Sequence, residues 1–232
     1  MKDNSYLVVQ VTATQVEFAL FDGLSLLDVH AMDKQLASKQ FLIALETMLS
    51  HAGVALHHLR FIAATVGPAP ITTLRAILAT LNGIHFATKI PLIPVDGMSA
   101  LLHMPLEERA YTIGLVNAYN NDLFYGVMDS NNVIVSKGWG QGTAVLAQLA
   151  PYAKQKTVIV GSGVALFSRD IRQLFPHATI LPIEQPSIEQ VAMLAQQQVA
   201  GGNTSEQLLP TYVKDFRYTP SVHTEIDNNS AS

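Results

Sequence analysis

Residues 7–32 read LVVQVTATQVEFALFDGLSLLDVHAM, which is a pattern of three consecutive strands. Leu7 to Val11 is an apolar run typical of a buried strand, and Gln15 to Phe21 follows with alternating apolar and polar residues. Asp22-Gly23 is a tight-turn signal, after which Leu24 to Met32 supplies a third strand. Strands joined by such short connections predict an antiparallel meander at the start of the chain.

Helices and strands alternate through the rest of the first half. Apolar residues at helical spacing predict a helix from Ser38, the expected N-cap, to His51, with Gly53 closing it. Four further elements follow: a strand over Phe61–Val66, a helix over Ile71–Phe86, a strand over Pro91–Val95 and a short helix over Met98–His103.

The same order recurs in the second half. Its predicted elements are strands over Thr112–Ala118, Leu123–Asp129 and Asn132–Gly138, a helix over Thr143–Pro151, a strand over Thr157–Val160, a helix from the Gly161-Ser162-Gly163 turn to Phe175, a strand over Thr179–Pro182 and a helix over Ile188–Ala200. A duplicated βββαβαβα order predicts an α/β protein with two lobes. We place the N-terminal lobe at 1–105, the C-terminal lobe at 106–219 and a polar, disordered tail at 220–232.

This duplicated order resembles the actin, Hsp70 and sugar-kinase superfamily, which has a ribonuclease H-like fold and binds ATP between its lobes. The resemblance implies an aspartate in the first turn that organises magnesium and the attacking water. Val11 stands at that position in the first lobe and Asn117 in the second, with Asp122 as a nearby acid that could substitute. The missing acids argue against an active ATP-dependent kinase or ATPase, an alternative that magnesium-dependent ATP turnover would revive.

Composition narrows the function further. Charged residues make up only 14% of the chain, where about 25% is usual for a soluble protein, which favours burial of part of the exterior against a partner. The formal net charge is −4 and no lysine or arginine cluster occurs, so strong direct binding of tRNA is not expected. The absence of cysteine excludes thiolate metal sites and a cysteine nucleophile. No apolar stretch approaches the roughly 18 residues of a membrane span, and we expect a cytoplasmic protein.

Four sequence blocks, in order and at matching spacing, resemble the bacterial TsaB family over about Tyr6 to Arg217. They are Val11-Thr12-Ala13-Thr14 for the family's Asp-Thr-Ala-Thr, Gly67-Pro68-Ala69-Pro70-Ile71-Thr72-Thr73-Leu74-Arg75 for Gly-Pro-Gly-Ser-Phe-Thr-Gly-Leu-Arg, Asn117 to Tyr125 for Asp-Ala-Arg-(any)-Gly-Glu-Val-Tyr, and Pro210 to Lys214 for Pro-(any)-Tyr-Leu-Arg. The resemblance implies the two-lobed fold predicted above.

The resemblance also implies a role in making N6-threonylcarbamoyl-adenosine next to the tRNA anticodon. In that pathway TsaD transfers the threonylcarbamoyl group and TsaE is an ATPase, whereas TsaB, once labelled a glycoprotease, is a pseudo-enzyme subunit with no catalytic or metal-binding residues. TsaB pairs with TsaD through a helical face of its N-terminal lobe, and the same face also forms homodimers. No cofactor is expected on this chain alone, with ATP or ADP left as an option at the interface shared with TsaD.

A stripe of small residues on the second helix marks the expected partner or dimer interface, because small side chains let another helix approach closely. The predicted interface residues are Phe41, Leu45, Thr72, Arg75, Ala76, Ala79, Thr80 and Gly83. One alternative is that the stripe packs on this chain's own sheet or first helix. Arg75 could face the partner's nucleotide site, or bond a carbonyl of residues 68–70.

Three other features carry open alternatives. Gly161-Ser162-Gly163 could cradle a phosphate at a helix start or be a plain turn, and no Gly-(any)-Ser-(any)-Gly nucleophile elbow occurs. His57-His58 is expected to be a solvated loop pair rather than a metal site. Trp139, flanked by glycines, could be an exposed contact residue in a loop or fold over its own lobe. A self-associating protein that has lost its partner remains a third reading of the whole chain.

Overall fold

The computed structural model describes residues 4–105 and 109–211. The first half contains, in chain order, β1 (Ser5–Val11), β2 (Gln15–Asp22), β3 (Ser25–Asp33), α1 (Lys34–Ala52), β4 (Ile62–Thr65), α2 (Ile71–Thr88), β5 (Leu92–Val95) and α3 (Gly97–Leu102). The second half contains β6 (Tyr111–Asn117), β7 (Asp122–Asp129), β8 (Ile134–Gln141), α4 (Gly142–Leu149), β9 (Thr157–Val160), α5 (Ser168–Leu174), β10 (Thr179–Ile180) and α6 (Ile188–Ala200). The predicted duplication of βββαβαβα order is confirmed.

Each half forms a five-stranded mixed sheet of the same topology. The first sheet has the order β3-β2-β1-β4-β5 and the second the order β10-β9-β6-β7-β8. In both sheets the meander strands pair antiparallel and the later strands pair parallel. The predicted α/β fold class is therefore confirmed. The predicted lobe boundary at 105–106 and the tail at 220–232 fall at or within residues outside the described part of the chain.

Strand β1 is the centre of the first lobe, and its sequence shows why. All seven of its residues are buried, as expected for a strand covered on both faces. Val9 and Val11 point into a core shared with α1 and α2. Tyr6 and Val8 point the other way, into a core that includes α6. Alternate residues of one strand thus contact two separate hydrophobic layers.

Helices α3 and α6 each cross to the sheet of the other half. Met98 and Leu102 of α3 pack with Phe124 and Met128 of the second sheet. Val191 and the rest of the apolar face of α6 pack against the first sheet. The prediction of residues 106–219 as one C-terminal lobe did not anticipate this exchange, in which the final helix of each half covers the opposite sheet.

Two glycines make the close approach of α3 possible. A Cβ added at Gly114 would lie 2.8 Å from Sδ of Met98, and one at Gly126 would lie 2.8 Å from Cγ of the same side chain. Both distances are shorter than ordinary van der Waals contact, so β6 and β7 need glycine where α3 crosses them. The crossing helix fixes the two sheets at the base of the cleft between them.

Three predicted boundaries were wrong for local reasons. Helix α1 begins one turn before Ser38, because the side chain of Asp33 is the N-cap and its Oδ1 accepts a hydrogen bond from Gln35 N at 2.7 Å. Helix α5 begins at Ser168, several residues after the Gly161-Ser162-Gly163 turn. Trp139 lies within strand β8 and not in a loop. The predicted cap at Gly53 is confirmed by its left-handed conformation, with a φ of 65°.

Glu17 lies on the side of β2 that α6 covers, opposite Gln10 of β1. Burial raises the pKa of its carboxyl group above the ordinary value of 4.5, and the negative charge of Glu189 raises this pKa further. The folded chain therefore holds the proton more tightly than the unfolded chain does. This contribution to stability is fully present below about pH 4.5 and is lost as the pH rises through the raised pKa.

We expect Glu17→Gln to increase the free energy of unfolding at pH 7 and to give little increase near pH 4, where the native carboxyl is already neutral. Urea unfolding at both pH values measures the effect. Glu46→Gln, at an exposed position of α1, is the control and should change stability equally at both. A gain from Glu17→Gln that is larger at pH 4 than at pH 7 would contradict the sign of the shift.

Candidate functional site

A cleft of about 390 Å³ lies between the two sheets. Its walls are the turn after β1, the loop into α2, the turn after β6 and the segment between β10 and α6. Gly97 and Leu101 of α3 also line it. The superfamily that the sequence resembles binds ATP in this place, so the chemistry of these walls decides whether the cleft could act on a nucleotide.

The turn after β1 is held together by a threonine hydroxyl. Oγ1 of Thr12 donates to the Gln15 carbonyl at 3.1 Å and accepts from Gln15 N at 3.0 Å. At the position of the superfamily's aspartate, Val11 is buried, and its N–H donates to Oγ1 of Thr65 at 3.2 Å. The turn is therefore formed without a carboxylate directed at the cleft.

The turn after β6 is stabilised in a similar way by the side-chain amide of Asn117. Oδ1 of Asn117 accepts from Tyr119 N at 2.8 Å, and the N–H of Asn117 donates to Oγ of Ser162. Tyr119, Asn120 and Asn121 all have positive φ values, which asparagine tolerates better than most residues. The side chain of Asn117 therefore shapes the turn and occupies the place of a metal-binding acid.

The main chain of Asp122 helps to form the same turn. Its N–H donates to the Tyr119 carbonyl and its carbonyl accepts from Ala118 N, so its main chain closes the turn, and its side chain is outside the set that lines the cleft. Glu184 is the one carboxylate among the described residues of the cleft wall. No group of three or more histidine, aspartate or glutamate side chains within the described ranges could hold a metal ion. Magnesium in a nucleotide site is usually held by one or two carboxylates together with phosphate oxygens and water, and Glu184 is the carboxylate that the described walls offer.

Of the two alternatives for Gly161-Ser162-Gly163, the structure favours the plain turn over a phosphate cradle at a helix start. Because α5 starts only at Ser168, the turn does not sit at a helix N-terminus. Gly161 has a φ of 111°, and a Cβ there would lie 2.1 Å from the Leu115 carbonyl oxygen. The two glycines instead allow the chain to pass close to strand β6, and the serine hydroxyl contacts the Asn117 turn.

The outward face of α2 is the second candidate site. Its inward face buries Leu74, Ile77, Leu78 and Leu81 in the chain's own core. Opposite them, Thr72, Ala79 and Gly83 are exposed, and Ala76 and Thr80 are half-buried. The small-residue stripe therefore faces away from this chain's sheet, so the alternative in which it packs on that sheet is wrong. The alternative in which it packs on the first helix stays open for the half-buried Ala76 and Thr80, because α1 and α2 contact each other. Phe86, 78% exposed at the end of the same helix, adds a large apolar side chain.

Two predicted interface residues do not belong to this face. Phe41 and Leu45 are 2% and 3% exposed and belong to the core beneath α1. The ring of Phe41 stands edge-on to Phe18, with 5.2 Å between ring centroids. On its solvent side α1 instead exposes Leu36 at 47% and Ile43 at 66%, two turns apart. The prediction placed the interface on the wrong side of α1, because both sides of this helix have large apolar residues.

The remaining predicted residues lie apart from the cleft. Arg75 is exposed on the surface of α2, next to the loop of residues 68–70. His57 and His58 are exposed, with ring centroids 4.2 Å apart, as a solvated pair should be. Trp139 is 47% exposed on edge strand β8.

Comparison with known proteins connects these features to one family. Residues 34–215 match the family described as TsaD: tRNA N6-adenosine threonylcarbamoyltransferase. Among solved structures, the chain is similar to an uncharacterised protein with similarity to peptidase YeaZ from Pseudomonas aeruginosa, at 20% identity and a TM-score of 0.73, over 91% of this chain and 100% of that one. YeaZ from the same organism gives 19% identity and a TM-score of 0.71, over 90% and 100%.

A more distant structure shows the same architecture. A Bacteroides thetaiotaomicron protein of actin-like ATPase fold and unknown function matches at 7% identity with a TM-score of 0.51, over 83% of this chain and 96% of that one. No curated protein matches the sequence. In the described parts of the chain, no helix is long and apolar enough to cross a membrane.

Proposed function

This chain belongs to the tRNA N6-adenosine threonylcarbamoyltransferase (TsaD) family, and from that premise we propose that it is the non-catalytic subunit that pairs with a TsaD homologue. The predicted resemblance to TsaB, for which YeaZ is another name, is confirmed by the family match and the shared fold. In this role the chain positions TsaD, and with it a TsaE homologue, for N6-threonylcarbamoyl modification of adenosine next to the tRNA anticodon.

The exposed small-residue face of α2 carries this proposal. Exposed Ala79 and Gly83 allow a partner helix to approach the α2 backbone closely. Leu36, Ile43 and Phe86 supply exposed apolar area on α1 and α2, which contact each other. Exposed large apolar side chains on two contacting helices, together with exposed small residues on one of them, are typical of a surface that a protein partner covers.

The chemistry of the cleft supports the non-catalytic part of the proposal. Phosphoryl transfer depends on acids that hold magnesium and orient the nucleophile. At the two matching turns this chain has Val11, which is buried, and Asn117, whose side chain is committed to the turn. A lobe pair of this kind can keep the fold and the pairing surface while leaving the transfer reaction to TsaD.

Light scattering behind size exclusion tests the proposal on the purified chain, on TsaD from the same source, and on their mixture. We expect a 1:1 heterodimer that forms at the expense of any homodimer of this chain. Adding TsaE, ATP, a donor of the threonylcarbamoyl group and tRNA should then yield modified adenosine only when this chain is present.

Two results would overturn the proposal. If no complex with TsaD forms under any nucleotide condition, the chain shares the fold of the family but does not bind this partner. Magnesium-dependent ATP turnover by the purified chain alone would contradict the non-catalytic role, and buffer with heat-treated protein gives the background rate for that assay.

A further inference from the structure

We propose that the groove between α5 and β10 binds an extended segment of a partner protein, which pairs antiparallel with the free edge of β10. The segment places a large aliphatic side chain in the groove and an acidic side chain beside Arg172. The groove belongs to the second sheet, whereas the outward face of α2 belongs to the first, so the proposal does not depend on pairing with TsaD.

The first lobe shows how an extended segment occupies the matching place. In each half a helix connects the last two parallel strands, α2 between β4 and β5 and α5 between β9 and β10. Residues 203–208 follow α6 and pass along the outer edge of β5, where Ser205 forms an antiparallel bridge with Leu92. In this bridge the N–H of Ser205 donates to the Leu92 carbonyl at 2.8 Å. The chain itself therefore covers the β5 edge of the first sheet.

Helix α2 holds the same segment from the other side. Nδ2 of Asn82 donates to the Leu208 carbonyl at 3.0 Å, and Oδ1 of Asn82 accepts from Leu208 N at 2.8 Å. Leu208 is 1% exposed and belongs to the core of the first lobe. Oε2 of Glu206 lies 3.5 Å from Nε2 of His85, which is in the last turn of α2. The segment thus combines a strand bridge, a buried leucine and an acid beside the end of the helix.

The edge of the second sheet repeats the sequence pattern that receives this segment. Strand β10 continues as Ile180-Leu181-Pro182, where β5 reads Leu92-Ile93-Pro94. The N–H of Leu181 donates to the Ile159 carbonyl at 3.1 Å, so the main-chain groups of the preceding residue, Ile180, point away from β9. Outward N–H and C=O groups at a sheet edge are a template for another strand. The Ile180 carbonyl is therefore the counterpart of the Leu92 carbonyl that Ser205 binds.

This second edge is open to solvent. Within residues 4–105 and 109–211, no segment pairs with the outer side of β10. A groove of about 680 Å³ lies there instead, between β10 and α5. Ile180 and Leu181 are half-buried in it, whereas Leu92 and Ile93 are fully buried in β5. The second lobe thus has the receiving edge and leaves it accessible to a segment from another molecule.

The walls of the groove suit an aliphatic residue and an acid. Phe175 and Ala178 contribute apolar surface, together with the side chains of β10. Arg172 lines the same groove, is exposed and lies in the last turn of α5, as His85 does in α2. It makes no ion pair with any residue in the described part of the chain. Glu184, the other charged residue of the described walls, lies past the end of β10, so an acid is favoured at the Arg172 end.

The covering segment of the first lobe also indicates the chemistry of the occupant. Its residues are fixed in place up to Thr211, whose N–H donates to the Val66 carbonyl at 3.0 Å, and the described ranges contain no second segment of this kind. Glu206-Gln207-Leu208 places an acid two residues before the buried leucine. We therefore expect the partner's segment to have an acid followed two residues later by a large aliphatic residue. In this mode of recognition, main-chain bonds provide affinity and side-chain pockets provide specificity.

Fluorescence anisotropy with a labelled peptide tests the proposal on the full chain. The peptide Asn-Thr-Ser-Glu-Gln-Leu-Leu repeats residues 203–209, the segment that the matching edge of the first lobe holds. We expect saturable binding at or below millimolar concentration. Replacing the glutamate of the peptide by lysine should weaken binding about tenfold, because a repulsion from Arg172 takes the place of an attraction.

Charge reversal locates the peptide in the groove. Arg172→Glu should weaken binding of the original peptide about tenfold and restore binding of the lysine peptide, a coupling that indicates direct contact. Arg169→Glu, exposed on α5 but outside the groove wall, makes the same change in net charge and should bind the original peptide normally. Hydrogen exchange at the Ile180 amide should slow when the peptide is added, because strand pairing protects this N–H. Circular dichroism confirms that each variant is folded.

Two results would overturn the proposal. One is the absence of saturable peptide binding by the full chain at millimolar concentration. The other is binding that Arg172→Glu leaves unchanged, which would place the peptide elsewhere, such as at the β5 edge. Light scattering of the chain with TsaD is measured separately, so either result leaves the proposed function standing.

Discussion

We expect Gly83→Arg to leave the chain folded and to weaken its binding to TsaD at least about 30-fold, the loss typical of a central interface position. Gly83 is exposed on the outward face of α2, and a Cβ added there meets no atom within 4 Å. An arginine therefore fits the free chain. In a complex, the same side chain would hold the partner helix away from the α2 backbone and leave an unpaired charge between two apolar surfaces.

Two controls separate this effect from a general one. Gly83→Ala adds a single methyl group and should retain pairing while raising the free energy of unfolding by about 0.5–1 kcal/mol, because glycine is the poorer helix former. Gln173→Arg places the same bulk and charge on the exposed side of α5 and should change nothing. Light scattering and urea unfolding measure the two quantities. If Gly83→Arg binds TsaD as tightly as the unmodified chain, α2 is not part of the interface.

The secondary structure of this chain could be predicted from its sequence because its elements are strongly patterned. The apolar run of β1 and the alternation of β2, joined by Asp22-Gly23 to β3, specify the meander without help from distant residues. Strand β9 and helix α6 have the predicted bounds. Where local signals compete, the prediction failed: Ser38 resembles a helix cap, but Asp33 lies at the point where β3 ends and supplies the cap instead.

Features that depend on contacts between distant segments could not be predicted in this way. No local pattern shows that α3 and α6 cover the opposite sheets, because a helix with an apolar face can cover either. The walls of the cleft were also only partly predictable. The sequence showed that Val11 and Asn117 are not acids, but it could not show that the amide of Gln10 is buried and donates to the distant Pro186 carbonyl.

The inward face of α1 contains the residue whose replacement should change stability most. Phe41→Ala should lower the free energy of unfolding by about 3–5 kcal/mol, the usual cost of removing a buried aromatic ring. The ring is 2% exposed and packs edge-on against Phe18 in the core beneath α1. Its loss removes apolar burial and an aromatic contact and leaves a cavity. Urea unfolding, followed by circular dichroism, measures the change.

Leu42→Ala is the neighbouring control, since Leu42 is 54% exposed and its loss should change stability by no more than about 0.5 kcal/mol. If Phe41 acted at an interface instead, Phe41→Ala would unfold at nearly the same urea concentration as the unmodified chain and lose only its binding to TsaD. If Phe41 is a core residue, the variant should instead be strongly destabilised and should keep its binding to TsaD. The fraction that remains folded still presents Ala79 and Gly83 to a partner. Measuring unfolding and pairing on the same sample therefore distinguishes the two faces of α1.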